Sequence, residues 1–265
     1  MLSLLLALAT SVGFAQQCPT LNSEMATWFM THSRDRNKVP IVKAPIERRM
    51  GAIRDQSRTP WCWAYAAADM ITYASGQRVS AANIVSITER YKGGRYNRRG
   101  RDIKDQGVHI EFALDAIERE YLCSESQVPS SKFSNGDARN AVCSSPTISV
   151  ANLRYKIEKQ QVGYRNSLLH ALDEALKDGK VPAIEYNVVK YLSWYNPQFT
   201  NTPMMMHAST IVGRFHNPKS NQCEYIIRNS WGENCYLYNG TCAGGYHSVS
   251  RYSMGEILYQ VIRQK

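Results

Sequence analysis

The chain has 265 residues, 43% hydrophobic and 20% charged, a balance that provides core for one large domain or two halves sharing a cleft. It excludes a disordered or collagen-like polymer, and beyond the N-terminus no apolar run reaches membrane length. A net charge of +10 bears on solubility and acidic partners, not on the fold.

Positions 1–15, MLSLLLALATSVGFA, carry no charged side chain and end in small residues at Gly13 and Ala15. The run is too short to span a bilayer and reads as a signal peptide, so the expected location is secreted or periplasmic. A lipid anchor on Cys18 is disfavoured by the poor lead-in Ala15-Gln16-Gln17. Residues 16–44 read as a polar N-terminal extension or short pro-segment, with Pro40 and Pro45 near its end, and 45–265 as the main domain.

Helical patterns come next. Cys62–Ser75 is rich in Ala, Met and Tyr and stops at Gly76, a good terminator. Residues 80–91 have Ser80 as a cap and apolar positions at helical spacing, and 108–122 repeat that period. Residues 165–180 form a further amphipathic helix closed by Gly179. The pattern then turns to strands at 181–189, 207–215, 223–231 and near 256–263, punctuated by Gly and Asn-Pro. A helical first half and a β-rich second half make an α+β chain.

Seven cysteines in an exported chain imply disulfides with one thiol left over. Cys235 and Cys242 flank YLYNGT, whose Asn239-Gly240 is a strong hairpin signal, so they are expected to staple a hairpin. Asn239-Gly240-Thr241 is also a glycosylation sequon, read here as a turn. Cys123 and Cys143 bracket a loop and are expected to close it. Elimination pairs Cys18 with Cys223 and leaves Cys62 unpaired.

Arg90–Lys104 holds seven cations and one acid. It reads as a solvated loop first, and otherwise as a surface steering acidic substrates or polymers. No nucleic-acid-binding motif accompanies it, so nucleic acid is not an expected partner. No C-x-x-C pair or H-E-x-x-H occurs, so neither metal nor cofactor is expected.

Cys62 is the informative thiol. Pro60 sets the turn into the helix, and Cys62 lies in its first turn, where unpaired N–H groups and the helix dipole favour a thiolate. A neighbouring imidazolium lowers a thiol pKa further, to roughly 3–4 in the strongest cases. His207 opens the apolar run ASTIVG at a strand start. Asn229 ends the next strand, so an antiparallel pair joined by RFHNPKSNQC returns it beside His207. An amide accepting from one imidazole nitrogen leaves the other to the thiol.

Gln56, Cys62-Trp63, His207-Ala208 and Asn229-Ser230-Trp231-Gly232 together resemble the papain-like cysteine peptidases. The similarity runs over about residues 45–265, and the lead-in APIERRMGAIRDQ resembles bacterial members. The resemblance implies a two-lobed fold, a helical lobe and a β-barrel-like lobe with the active-site cleft between them. It makes Cys62 the nucleophile, His207 the base and then acid, and Asn229 its orienting amide. Gln56 would supply the oxyanion hole with the Cys62 N–H, and Trp231 and Trp63 would support the site.

Met205, Met206 and Ala208 are candidate substrate contacts, although Met204–Met206 equally suit ordinary core. Thr59-Pro60-Trp61 stands where the family usually has Cys-Gly-Ser, placing bulk where a subsite wall would lie. The family's Cys-Asn-Gly-Gly strand is not recognisable either. The expected activity is a secreted, monomeric cysteine peptidase acting on proteins or peptides, acidic ones included, with no membrane partner. The alternatives are a peptidoglycan amidase or peptidase on a papain-like scaffold, or a papain-fold binder of peptides or polyanions that does not cleave.

Overall fold

The structure is a computed structural model that describes residues 18–33, 40, 42–91, 108–134, 137–160, 165–194, 196–235 and 241–265. The expected leader over 1–15, the basic run after Tyr91, and the expected Asn239-Gly240 turn lie outside the described residues.

The first half is built around helix α3 (Cys62–Ser75). Its Ala-rich sequence lies buried from Trp63 to Thr72 instead of presenting one face to water, with Asp69 as its one buried charge. Gly76, at φ 71°, closes it in the left-handed conformation that favours glycine. Helices α4 (Ala81–Arg90) and α5 (Ile110–Ile117) pack against it. Ser80 caps α4 as expected, accepting the Asn83 N–H at 3.1 Å. Two short strands, β1 (Tyr121–Leu122) and β2 (Ile148–Ser149), pair beside this cluster.

The second half is a seven-stranded antiparallel sheet. Its strands are β3 (Tyr155–Lys159), β4 (Ala183–Asn187), β5 (Met206–Asn217), β6 (Gln222–Arg228), β7 (Cys242–Ala243), β8 (Tyr246–Ser250) and β9 (Leu258–Gln264). They run in the order β3-β9-β4-β5-β6-β8-β7. Side-chain alternation divides the sheet between two cores. Ala183, Ala208 and Ile262 join the α3 cluster. Ile184, Tyr186, Ile211, Tyr225 and Ile227 instead meet helices α6 (Arg165–Lys177), α7 (Val188–Ser193) and α8 (Arg251–Ile257). α3 thus lies against the sheet face that carries Ala183, Ala208 and Ile262, while His207, opposite Tyr186, lies on the other face beside the Tyr186 ring.

A short helix, α2 (Glu47–Met50), precedes α3. The N-terminal segment forms helix α1 (Ser23–His32). Asn22 caps it, and Met25 and Phe29, both fully buried, pack on Val212, Phe215, Ile226 and Tyr246. Leu21 and Arg214 exchange backbone hydrogen bonds at 2.9 Å, and Cys18 is bonded to Cys223. The remaining disulfides are Cys123–Cys143 and Cys235–Cys242, with Cys62 free. All three pairings follow the sequence expectation.

Three expected boundaries move. The strand expected over 181–189 ends at Asn187, because the Asn187 side chain accepts the Lys190 N–H at 3.0 Å and starts α7. The helix expected over 108–122 stops at Ile117, since Tyr121 and Leu122 pair with Ser149 and Ile148. The stretch 214–223 is mostly strand: β5 reaches Asn217, β6 begins at Gln222, and residues 218–221 turn between them.

Candidate active site

Cys62 is the first residue of α3, as its sequence position predicts. The preceding Trp61 occupies the cap position with no side-chain cap, so the first-turn N–H groups are left to whatever lies at the helix mouth. Those of Cys62 and Trp63, with the Ala208 N–H from β5, favour the thiolate. The sulfur is therefore beside the residue that follows His207. Burial nevertheless dominates and pushes the Cys62 thiol up to about 11, and the Glu185 carboxylate adds to the rise. The low thiol pKa expected from the helix mouth is corrected accordingly: desolvation outweighs three N–H dipoles.

His207 lies on β5 and is buried. Its Nε2 is 2.8 Å from Asn229 Oδ1. The Ser230 backbone N–H donates to that same atom at 2.7 Å, which identifies it as the oxygen. His207 Nε2 must then carry the proton, and Nδ1 is the basic nitrogen. The Ser209 hydroxyl also donates to Asn229 Oδ1, at 3.3 Å. Burial, opposed by the Asn229 bond, lowers the His207 pKa to about 4. Thiol and imidazole are thus both neutral at rest.

The Trp231 indole lies 4.5 Å from the His207 ring, centroid to centroid, tilted by 40°. Gln56 is buried, and its orientation is fixed at both ends. Nε2 donates to the Thr59 carbonyl at 2.8 Å, and Oε1 accepts from the Ser230 hydroxyl at 2.6 Å. That assignment leaves the second Nε2 hydrogen for another acceptor.

Trp61 and Trp63 are fully buried in the α3 cluster. The expectation that Trp61 adds bulk to a cleft wall is therefore corrected: at 0% exposure its ring faces core. Ala208 is buried beside the thiol, Met206 is half-buried, and Met204 and Met205 are exposed, which removes these last two from the core.

A charged network that the sequence does not reveal holds these pieces together. Asp69, two turns after Cys62, accepts from Arg54 Nε at 2.6 Å and from Arg228 Nε at 2.8 Å, all three buried. Arg54 precedes Gln56 by two residues and Arg228 immediately precedes Asn229. Arg228 also reaches the Gly51 and Ala52 carbonyls and the Tyr246 hydroxyl. Burial alone would raise Asp69, but the two guanidiniums overcome it and hold the carboxyl below its ordinary value. One carboxylate thereby ties the Gln56 segment, the Cys62 helix and the Asn229 strand end.

No group of His, Cys, Asp or Glu among the described residues could hold a metal ion. Their helices are also too short or too polar to cross a membrane.

No family model matches the chain, and no curated protein matches it either. Solved structures do match. Digestive procathepsin L 3 from the Tenebrio molitor larval midgut is 16% identical, covering 90% of this chain and 78% of its own, with a TM-score of 0.59. Plasmodium falciparum SERA5E is 17% identical over 80% and 88% of the two chains, with a TM-score of 0.56. The bromelain protease of Ananas comosus, solved with the E64 inhibitor, is 15% identical over 82% and 94%, with a TM-score of 0.51. At such identities the likeness is one of architecture: the chain has the α+β papain-like fold, a helical part joined to an antiparallel β part.

Proposed function

We propose that the protein is a secreted or periplasmic cysteine peptidase with Cys62, His207 and Asn229 as its catalytic residues. The observation that carries this reading is the bond from His207 Nε2 to Asn229, which turns the basic Nδ1 away from the amide, on a strand whose next residue touches the only unpaired thiol. Three disulfides suit an oxidising compartment.

In this mechanism the Cys62 sulfur attacks the scissile carbonyl carbon while its proton passes to His207 Nδ1. The oxyanion takes hydrogen bonds from the Cys62 N–H and Gln56 Nε2. His207 returns the proton to the leaving amine, leaving an acyl thioester. Water then hydrolyses the thioester, with His207 as base. Because both partners are neutral at rest, deprotonation accompanies attack. Trp231 covers the imidazole and limits water's access to its bond with Asn229. Trp63 anchors the helix mouth from the core side.

Exposed Met205 and half-buried Met206, adjoining His207, offer apolar contact to a peptide beside Ala208. Acidic substrate preference is assigned to Arg98, Arg99 and Arg101, which lie outside the described residues. Residues 18–33 act as a fixed part of the β half, not as an inhibitory cover. Met25, Ala26, Trp28 and Phe29 pack in a cluster with the sheet residues Val212, Phe215, Ile226 and Tyr246 that does not include Cys62.

The test is mass spectrometry of a diverse peptide mixture incubated with mature protein under mild reductant. Cleavages should appear with the parent, vanish in Cys62→Ala, and be blocked by the E64 inhibitor that the bromelain structure contains. Identical products from parent and Cys62→Ala would overturn the reading. Silence from both would transfer it to cell-wall amides or to binding without cleavage.

A further inference from the structure

A buried carboxylate acts on the thiol, a second histidine is bonded to that carboxylate, and the mechanism above uses neither. Glu185 lies on β4 directly opposite Ala208 of β5, whose N–H meets the Cys62 sulfur. Directly opposite residues on antiparallel strands share a face, so the carboxylate is on the α3 side of the sheet. It is almost fully buried, and both oxygens accept hydrogen bonds from the first half. Oε1 takes the Ile110 N–H at 2.6 Å, and Oε2 is 2.7 Å from His109 Nδ1. Both oxygens are thereby engaged by the first half, and the carboxylate charge raises the Cys62 thiol.

Such a charge opposes a thiolate. What can neutralise it is His109, the residue that opens α5, whose side chain is 44% exposed and can exchange protons with solvent. The groups facing His109 among the described residues are Glu185 on β4, Lys159 on β3, Glu111 on α5, and the stacked ring of Tyr259 on β9. Lys159 and Glu111 pair with each other. Glu185 is thus the uncommitted acid. On the other side of Glu185, directly opposite on β9, Gln260 is 1% exposed and its amide nitrogen has no hydrogen-bond partner among the described residues. It supplies no cation. Among the described residues, His109 is the only cationic group within hydrogen-bonding distance of the carboxylate.

We propose that His109 and Glu185 form a charge-compensating pair that sets the reactivity of Cys62, with the His109 imidazolium cancelling the carboxylate beside the thiol. His109 is a positioning residue in this scheme and touches no reacting atom. Its bond to Glu185 raises its own pKa, so the compensated form persists to higher pH than an isolated histidine would allow. As pH rises and His109 loses its proton, the carboxylate charge is uncovered and thiolate formation becomes harder. Thiol reactivity is thereby coupled to pH through a residue outside the Cys62–His207–Asn229 set.

This inference rests on reading Cys62 as the nucleophile, but its test needs no peptide cleavage. The rate of Cys62 alkylation by iodoacetamide is followed from pH 5 to 9 in the disulfide-intact protein. Glu185→Gln should speed alkylation about three- to tenfold near neutral pH, and His109→Gln should slow it by a similar factor. The double variant should behave as Glu185→Gln, and His109→Lys, which restores a cation, should recover part of the loss. Opposite signs are the signature, because structural damage would move both single variants the same way. Shifts of the same sign, or none, would overturn the pair. If a His109 variant misfolds by circular dichroism, Glu185→Gln alone decides: no acceleration refutes the proposal. If peptides are never cleaved but the opposite shifts appear, the peptidase reading fails and the pair stands.

Discussion

Replacing Asp69 by Asn tests the frame that brings the three site segments together. The carboxylate sits between two buried guanidiniums, at 2.6 Å from Arg54 and 2.8 Å from Arg228. Arg54 keeps a second carboxylate, Glu125, at 2.8 Å. Arg228 keeps two carbonyls and the Tyr246 hydroxyl but no carboxylate within salt-bridge distance among the described residues. Breaking a buried pair by removing one partner costs about 3–5 kcal/mol, because the other charge is stranded out of water. For a chain of this size that lowers Tm by about 6–20 °C.

The assay is denaturant and thermal unfolding of Asp69→Asn against parent, with disulfides intact. A pH arm checks the sign. The folded carboxyl is held below its ordinary value, so its stabilisation is present above the unfolded-state pKa, about 3.9, and is lost as pH falls through the lower folded value. Parent stability should therefore decline below about pH 4, and the Asn variant should lack that component. A loss under about 1 kcal/mol, the scale of an exposed pair, with an unchanged acid profile, would refute the reasoning.

Three further outcomes are expected. Gln56→Ala removes the proposed oxyanion donor and should lower kcat by about 10²–10³ with little change in KM, measured on a peptide identified by mass spectrometry. His207 must be neutral to act as base, and its pKa lies near 4. The acid limb of kcat/KM should therefore fall near pH 4, and a limb near that of an ordinary histidine would contradict the burial argument. Cys18→Ser with Cys223→Ser opens the crosslink of sequence separation 205 and should cost about 2–5 kcal/mol of stability. It should leave kcat/KM at 25 °C unchanged, whereas a rise in activity would show that the segment inhibits.

The residues that the sequence made legible are those whose chemistry is local in the chain. Cys62 follows a proline into an Ala-rich helix, and His207 and Asn229 bound successive strands, so strand pairing returns Asn229 to His207. The odd cysteine count isolates Cys62 for the same reason. What escaped was long-range and carried no period. Glu185 lies 76 residues from His109, and Asp69 lies 159 from Arg228. Nothing in an alternating strand or an alanine-rich helix distinguishes a buried charge from a solvated one. Helix α1 was readable in principle: Asn22 is a cap, and Met25, Ala26 and Phe29 keep helical spacing, but the polar residues around them masked it. Trp61 misled for the opposite reason. Its place beside the thiol suggested a cleft wall, whereas its ring is fully buried in the α3 cluster.

The central claim is that Cys62 becomes acylated during turnover. Parent protein is mixed with an excess of a cleaved peptide, quenched in acid within the first turnovers, and digested for mass analysis. The account predicts that the Cys62-containing fragment gains the mass of the N-terminal product's acyl group, and that Gln56→Ala accumulates it more slowly. Hydrolysis that continues in Cys62→Ala, or acyl mass on any other residue, would contradict it.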